Sequence, residues 1–286
     1  TFSHCTFGDM SQAGVLSGNH ASNTMISDFA IRNCLFTAEK VGTYPARNTQ
    51  EVAFAAIISG SIGLGKGTTI ENANLDGFVF ENNIVLAKGE TPMFEGVFVY
   101  NTYDLTYAAL LPDYEAVMTA KKHTVQNSVT KRVIAKNNRF DGVGDGSFCV
   151  INTTIGPYVK NCEISDVTIE NNEVLYELVG MSIGCADIYN FGEEIIEISG
   201  NVVKNVELIG NKFIASEERP KECVFAACVG TVLLEAGHCV ISNNRAENVR
   251  MIGNSFVGGD VGIRLEAAHA FRNESRLSRL FENEVK

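Results

Sequence analysis

One hydrophobic frame recurs along the chain: two apolar residues at alternate positions, a polar gap, an Asn, and a further apolar residue two places on. In "NVELIGNKF" (205–213) the frame is Val206, Leu208, Asn211 and Phe213; in "NVRMIGNSF" (248–256) it is Val249, Met251, Asn254 and Phe256. "FVFENNIV" repeats it around Asn83, "VIAKNNRF" around Asn138 and "VTIENNEV" around Asn172. "SRLFENEV" is a weaker copy around Asn283. "FAIRNCLF" and "FSHCTF" keep the frame with Cys34 and Cys5 in the Asn place. Apolar residues two apart lie on one face of a strand. Each phrase therefore predicts two short strands meeting at a tight bend, where Asn tolerates the left-handed region and can bond its own backbone. Repeated in register, these Asn side chains are expected to stack, each amide bonding the next.

A second series follows: "AAIISGSIG", "GVFVYNTYD", "FCVINTTIG", "MSIGCADIY", "CVFAACVGT" and "VGIRLEAAH". These are short apolar runs without clean alternation, as in a parallel sheet covered on at least one side. The interval from Asn254 to Asn283 reads as one coil in 29 residues, and the full set of intervals, 29 to 55 residues, as one coil plus loops of varying length. Periods of this size indicate a solenoid.

The stacked Asn turn and its apolar frame resemble those of the right-handed parallel β-helix of the pectin-lyase-like superfamily, over essentially the whole chain. The resemblance implies an all-β fold, one domain over residues 1–286. It also implies a carbohydrate setting: a polysaccharide lyase, glycoside hydrolase or glycan-binding protein, extracellular or at a cell surface. The alternative is a non-catalytic structural or adhesive solenoid of the surface-protein or tail-spike kind. A left-handed β-helix lacks its strict hexapeptide period here, and a leucine-rich repeat lacks its LxxLxL frame. Both chain ends read as the middle of an element, which suggests a segment of a longer protein.

Loops leave the coils at 37–53, 215–222 and 102–131. In the longest, "LPDYEAVMTAKKH" predicts a short helix, with Pro112 in its first turn and Lys121, Lys122 and His123 at its negative end. "IEISGN" and "CVISNN" read as further Asn turns on hairpin-like excursions. Both faces of the second series are largely apolar, so the long loops, above all 102–131 with its Leu110, Leu111, Tyr114 and Val117, are expected to cover it, with another chain as the alternative. A homo-oligomer stays open on that ground.

A net charge of −11 argues against binding nucleic acid through general electrostatics. No apolar run reaches the roughly 18 residues of a membrane-spanning helix. The eight cysteines form no CxxC pair and no His stands at ligand spacing from them. Neither a zinc site nor a cofactor is expected, and most thiols should be free and buried.

In the superfamily this chain resembles, polysaccharide lies across the sheet matching the second series, with catalytic side chains projecting outward. Reading that column with Ile263 and Leu265 inward makes Arg264 and Glu266 outward. The matching pairs on earlier coils would be Gly184 and Ala186, Ile151 and Thr153, Val99 and Asn101, and Ile58 and Gly60. The polygalacturonase motifs NTD, DD, GHG and RIK are missing, as is the aspartate cluster of calcium-dependent pectate lyases. No Trp offers a stacking surface for sugar, although 8 Tyr and 17 Phe remain. The richest polar stretch is "GGDVGIRLEAAH". Arg264, Glu266 and Asp187 are the candidate catalytic residues, with Asp260 and His269 as substrate contacts. An Arg beside a carboxylate can bind an acidic sugar and act on its proton, and paired carboxylates can hydrolyse a glycoside. A plain surface ion pair competes with that reading. "GLGKGTT" (63–69) lacks phosphate-loop spacing. His4, His20, His123 and His238 stand alone in the local sequence.

Overall fold

The computed structural model describes residues 1–8, 13–17, 22–38, 52–59, 69–87, 93–102, 124–141, 149–154, 158–176, 179–217, 225–270 and 279–286. They form a right-handed parallel β-helix with three sheets, every strand pair parallel. The first sheet stacks Phe2–Ser3, Thr24–Arg32, Ala73–Glu81, Val129–Lys136, Glu163–Glu170, Val202–Ile209, Arg245–Ile252 and Glu284–Val285. The second stacks the short strands that follow the Asn turn, from Thr6–Gly8 to Ser255–Val257. The third holds the second series, Ala13–Ser17, Val52–Ser59, Met93–Thr102, Cys149–Thr154, Val179–Ser199, Phe225–Ser242 and Val261–Ala270. Short returning strands such as Thr124–Gln126 and Tyr158–Lys160 complete it. The expected helix at 111–123 lies outside the described residues. Among those described there is no helix, and hence none long and apolar enough to cross a membrane.

The Asn ladder sits at the corner between the first and second sheets. Asn138 and Asn172 donate from backbone N–H and from Nδ2 to Oδ1 of Asn172 and Asn211, at 2.9–3.0 Å. Each Nδ2 also donates back to a strand carbonyl, Phe80 for Asn138, Ala135 for Asn172 and Ile169 for Asn211. Asn211 bonds Asn254 in the same way. The amides of Asn138, Asn172 and Asn211 are thus fully used in a site closed to water, as buried polar groups require. Cys34 and Cys5 continue the column towards the N-terminus. The left-handed residue is the one before the ladder Asn: Asn82, Asn137 and Asn171, then Gly210 and Gly253. This differs from the expectation that the ladder Asn itself takes that conformation, and it explains why the ladder Asn is preceded by Asn on three coils and by Gly on the next two. An added Cβ at Gly210 would lie 2.5 Å from Asn171 Oδ1, so the outer place beside Asn171 is already full.

"IEISGN" and "CVISNN" are not excursions. They form a second corner, where the third sheet turns into the first. Cys162 N–H donates to Asn201 Oδ1, Asn201 to Asn244 and Asn244 to Asn283 at 2.9–3.0 Å. Thr24, Ala73 and Ser128 stand in the same place on earlier coils, each preceded by a left-handed Asn. Asn283 therefore belongs to this second ladder, so the 29 residues from Asn254 are less than one coil. The coil of that length runs from Cys5 to Cys34, and later ones take 49, 55, 34, 39 and 43. The two corners share one apolar-then-Asn frame because both join a strand to a strand across one left-handed residue.

A third row of left-handed residues bends the first sheet in mid-strand: Asp28, Gly77, Arg132, Asp166, Asn205 and Asn248. Inside the coils, Ile31, Leu75, Phe78, Phe80, Ile169, Leu208 and Phe213 are 0–2 % exposed and form one core. Phenyl rings stack along it, Phe7 on Phe36 at 4.8 Å and Phe213 on Phe256 at 5.5 Å. Outside, the first sheet carries charges of alternating sign. Arg32 pairs with Glu81 at 3.2 Å, and further along the same row Lys136 pairs with Glu170 at 2.8 Å. That face reads as solvated.

Candidate functional site

The third sheet positions the candidate residues. Ala227 and Val229 belong to the core, and Ile263 and Leu265 are their register partners, so those two take the inward phase. Among the described residues Val261–Ala270 pairs on one edge only, which leaves Ile263 and Leu265 at 42 % and 37 % exposure. Alternation then places Arg264 and Glu266 on the outer face. Their side chains meet: Arg264 Nε donates to Glu266 Oε1 at 2.7 Å, and the two are 21 % and 29 % exposed.

The neighbouring coil closes tightly on the backbone of Glu266. Gly230 lies opposite Glu266 with φ of +133°, and a Cβ there would fall 1.5 Å from the Glu266 carbonyl oxygen. Only glycine fits, and the register slips between Gly230 and Val232 as the strand bulges. Asp260 is exposed on the turn that enters the strand, after Gly258 and Gly259, both left-handed.

The register corrects the row drawn from sequence. Arg264 is in line with Cys228, Ser182, Val150, Phe98 and Ile57, and Glu266 faces Gly230. Ile58, Val99 and Ile151, expected beside Arg264, share the inward row of Ile183, Val229 and Leu265. A one-residue slip exchanges the faces of a strand, and runs apolar on both faces contain no alternation to prevent it. Asp187, Val232 and His269 form a single row. Asp187 thus comes level with His269, and its backbone lies roughly 14 Å from that of Glu266, two strand spacings across and three residues along. The side chains of Asp187 and His269 lie outside the described residues. Sequence reading missed Gly230. The only signal for it was an isolated Gly inside an apolar strand, which often marks a bulge.

Arg264 and Glu266 together offer guanidinium donors and carboxylate acceptors on a partly exposed face, a set that matches hydroxyl and carboxyl groups. Among the described residues, no three His, Cys, Asp or Glu side chains come together as a metal site. No family model, curated protein or solved structure matches the chain.

Proposed function

We propose that this β-helix is a glycan-binding protein of the pectin-lyase-like kind, working outside the cell or at its surface. In this reading the outer face of the third sheet meets a polysaccharide and Arg264 and Glu266 hold it. The 2.7 Å Arg264–Glu266 pair supports the reading, standing beside the small or uncharged positions Cys228, Gly230 and Ser182. Such a pair can exchange its mutual bond for two bonds to vicinal hydroxyls, with Asp260 and His269 as further contacts. Binding without turnover is favoured because the guanidinium and the carboxylate engage each other. Hydrolysis or elimination would need a second group, Asp187 above all, brought to Glu266.

The apolar row of Ile57, Phe98 and Val150 favours a second reading, a structural solenoid whose third sheet is an interface. One experiment separates the cases. The protein is passed over immobilised uronic and neutral polysaccharides, and the eluates are assayed for reducing ends and unsaturated products. Retention without products is expected, weakened at least about tenfold by Arg264→Ala, the order of 1.4 kcal/mol. Released products would make it an enzyme. Failure of every glycan to retain it would leave the structural reading.

A further inference from the structure

We infer that Cys5 and Cys34 form a two-coordinate thiolate site for a soft monovalent cation, Cu(I) above all. The residues are 29 apart in sequence but stacked on consecutive coils. The Cys5 N–H points at Cys34 Sγ, 3.5 Å away, and the Leu35 N–H donates to the Cys5 carbonyl at 2.9 Å.

Both thiols adopt one orientation. Cys5 Sγ donates to the carbonyl of Ser3 at 3.5 Å and Cys34 Sγ to that of Arg32 at 3.2 Å. Ser3 and Arg32 are themselves register partners. Two side chains with the same local bond on stacked strands are parallel, so their sulfurs lie about one strand spacing apart, ~4.8 Å. A disulfide needs Cβ–S–S–Cβ near 90°, which parallel side chains do not offer. A linear S–metal–S unit suits them, because two metal–thiolate bonds end to end, about 4.6 Å at the zinc–thiolate length and slightly less for two-coordinate Cu(I), nearly span the stacking distance. The metal would then meet each Cβ–S bond near a right angle.

Thiolate pairs select soft cations, with Cu(I) foremost, over hard ones. Tetrahedral zinc needs four ligands, and among the described residues no third one joins the pair. Cys34 is 3 % exposed and belongs to the core, whereas Cys5 is only partly buried and leaves a way in. On binding, two S–H bonds break, two S–Cu bonds form and two protons pass to water. Copper stays Cu(I) and no electron is transferred.

The second corner contains a natural control. Ser128 Oγ donates to the Gln126 carbonyl at 3.3 Å and Cys162 Sγ to that of Lys160 at 3.4 Å. The side-chain orientation matches that of Cys5 and Cys34, but only one of this pair is a thiol. Ser also makes the same bond as Cys in this position, so Cys34→Ser should fold.

The test uses the whole chain, kept reduced and free of oxygen, with Cu(I) supplied from a competing chelator. One copper per chain with two sulfur neighbours in X-ray absorption is expected. Cys5→Ser and Cys34→Ser should each weaken uptake by more than about 100-fold, beyond the usual loss of an outer-shell contact, while melting as the parent does. Cys162→Ser and Cys228→Ser should bind as before. Uptake unchanged in Cys5→Ser and Cys34→Ser, three or more sulfur neighbours, or no transfer from the chelator would overturn the inference.

Discussion

Two columns of stacked side chains run along this solenoid at left-handed bends, one buried and one in water. At the first corner, Asn138, Asn172 and Asn211 are 1–2 % exposed and bond each other at 2.9 Å. At the mid-strand bend of the first sheet, Asn205 Nδ2 donates to Asp166 at 2.9 Å and Asn248 Nδ2 to Asn205 at 2.8 Å, all exposed. The bonds are alike, but the residues chosen are not. The buried column keeps Asn on five consecutive coils, whereas the exposed one passes through Asp28, Gly77, Arg132, Asp166, Asn205 and Asn248. Water can replace any side-chain partner at the bend, so only the backbone conformation constrains that position. At the corner water cannot stand in for a lost amide, and only another side chain that takes the neighbouring N–H, as Cys34 takes that of Cys5, fills the place. Burial narrows the choice to side chains that satisfy the stacked backbone or leave it to a neighbour, as Cys34 in this column and Ala73, Ser128 and Cys162 at the second corner do, all of them buried.

The comparison can be broken most directly at Asn172. Replacing it with Leu strips Oδ1 from both the N–H and the Nδ2 of Asn138. Roughly 2–4 kcal/mol should be lost, for two buried groups left unsatisfied. Urea unfolding measures it, and a loss below about 1 kcal/mol would mean that water reaches the corner. At the exposed bend, Asn205→Leu should cost about 1 kcal/mol, because Leu keeps the β-carbon in the left-handed region without the short polar side chain that lets Asn bond locally there. Asn205→Gly, with no β-carbon, should stay within about 0.5 kcal/mol of the parent. Similar losses for both would place the energy in the side-chain bond instead.

The buried ladders can also be sharpened by extension. Cys162 precedes the run Asn201, Asn244 and Asn283, and its N–H already donates to Asn201 Oδ1. Cys162→Asn adds an amide in register and should raise stability by about 1 kcal/mol, read from the same unfolding curve. A loss would mean that the cavity is fitted too closely to sulfur.

The smallest effect belongs to the exposed bend and its charges. Arg132, left-handed with φ of 55°, directs its guanidinium at Asp76, and Lys131 lies 3.3 Å from the same carboxylate. The hydrogen bond from Arg132, above all, holds the Asp76 carboxyl below its ordinary value of 3.8, with Lys131 adding to it and partial burial opposing. A carboxylate with a depressed folded value contributes stability that is complete above the unfolded value and is lost as pH falls through the folded one. Between pH 5 and pH 2 the parent should therefore lose stability more steeply than Asp76→Asn, with the difference concentrated below 3.8. Parallel acid limbs would show that solvent screens the cluster.

The five-fold Asn phrase was legible because it is local. A strand, one left-handed residue, an inward amide and a second strand fit within nine letters, and their repetition specifies a parallel solenoid. The Cys substitutions at 5 and 34 were legible for the same reason. The second corner was misread because its phrase is identical in kind, and letters alone do not say which sheet precedes a turn. Arg264 and Glu266 were recognisable as alternate residues on one strand, and the structure joins them at 2.7 Å.

Other features depended on the coils winding over one another. The register of the third sheet, the pairing of Asp187 with the row of His269 and the need for glycine at 230 all arise between coils. A strand apolar on both faces has the same pattern in either register, so its sequence carries no preference that packing could reveal in advance. By itself the sequence determined the repeating turn, the inward residues beside it and hence the fold. Only the tertiary structure decided which side chains face one another across coils, because loops of unequal length set that alignment and leave no periodic mark.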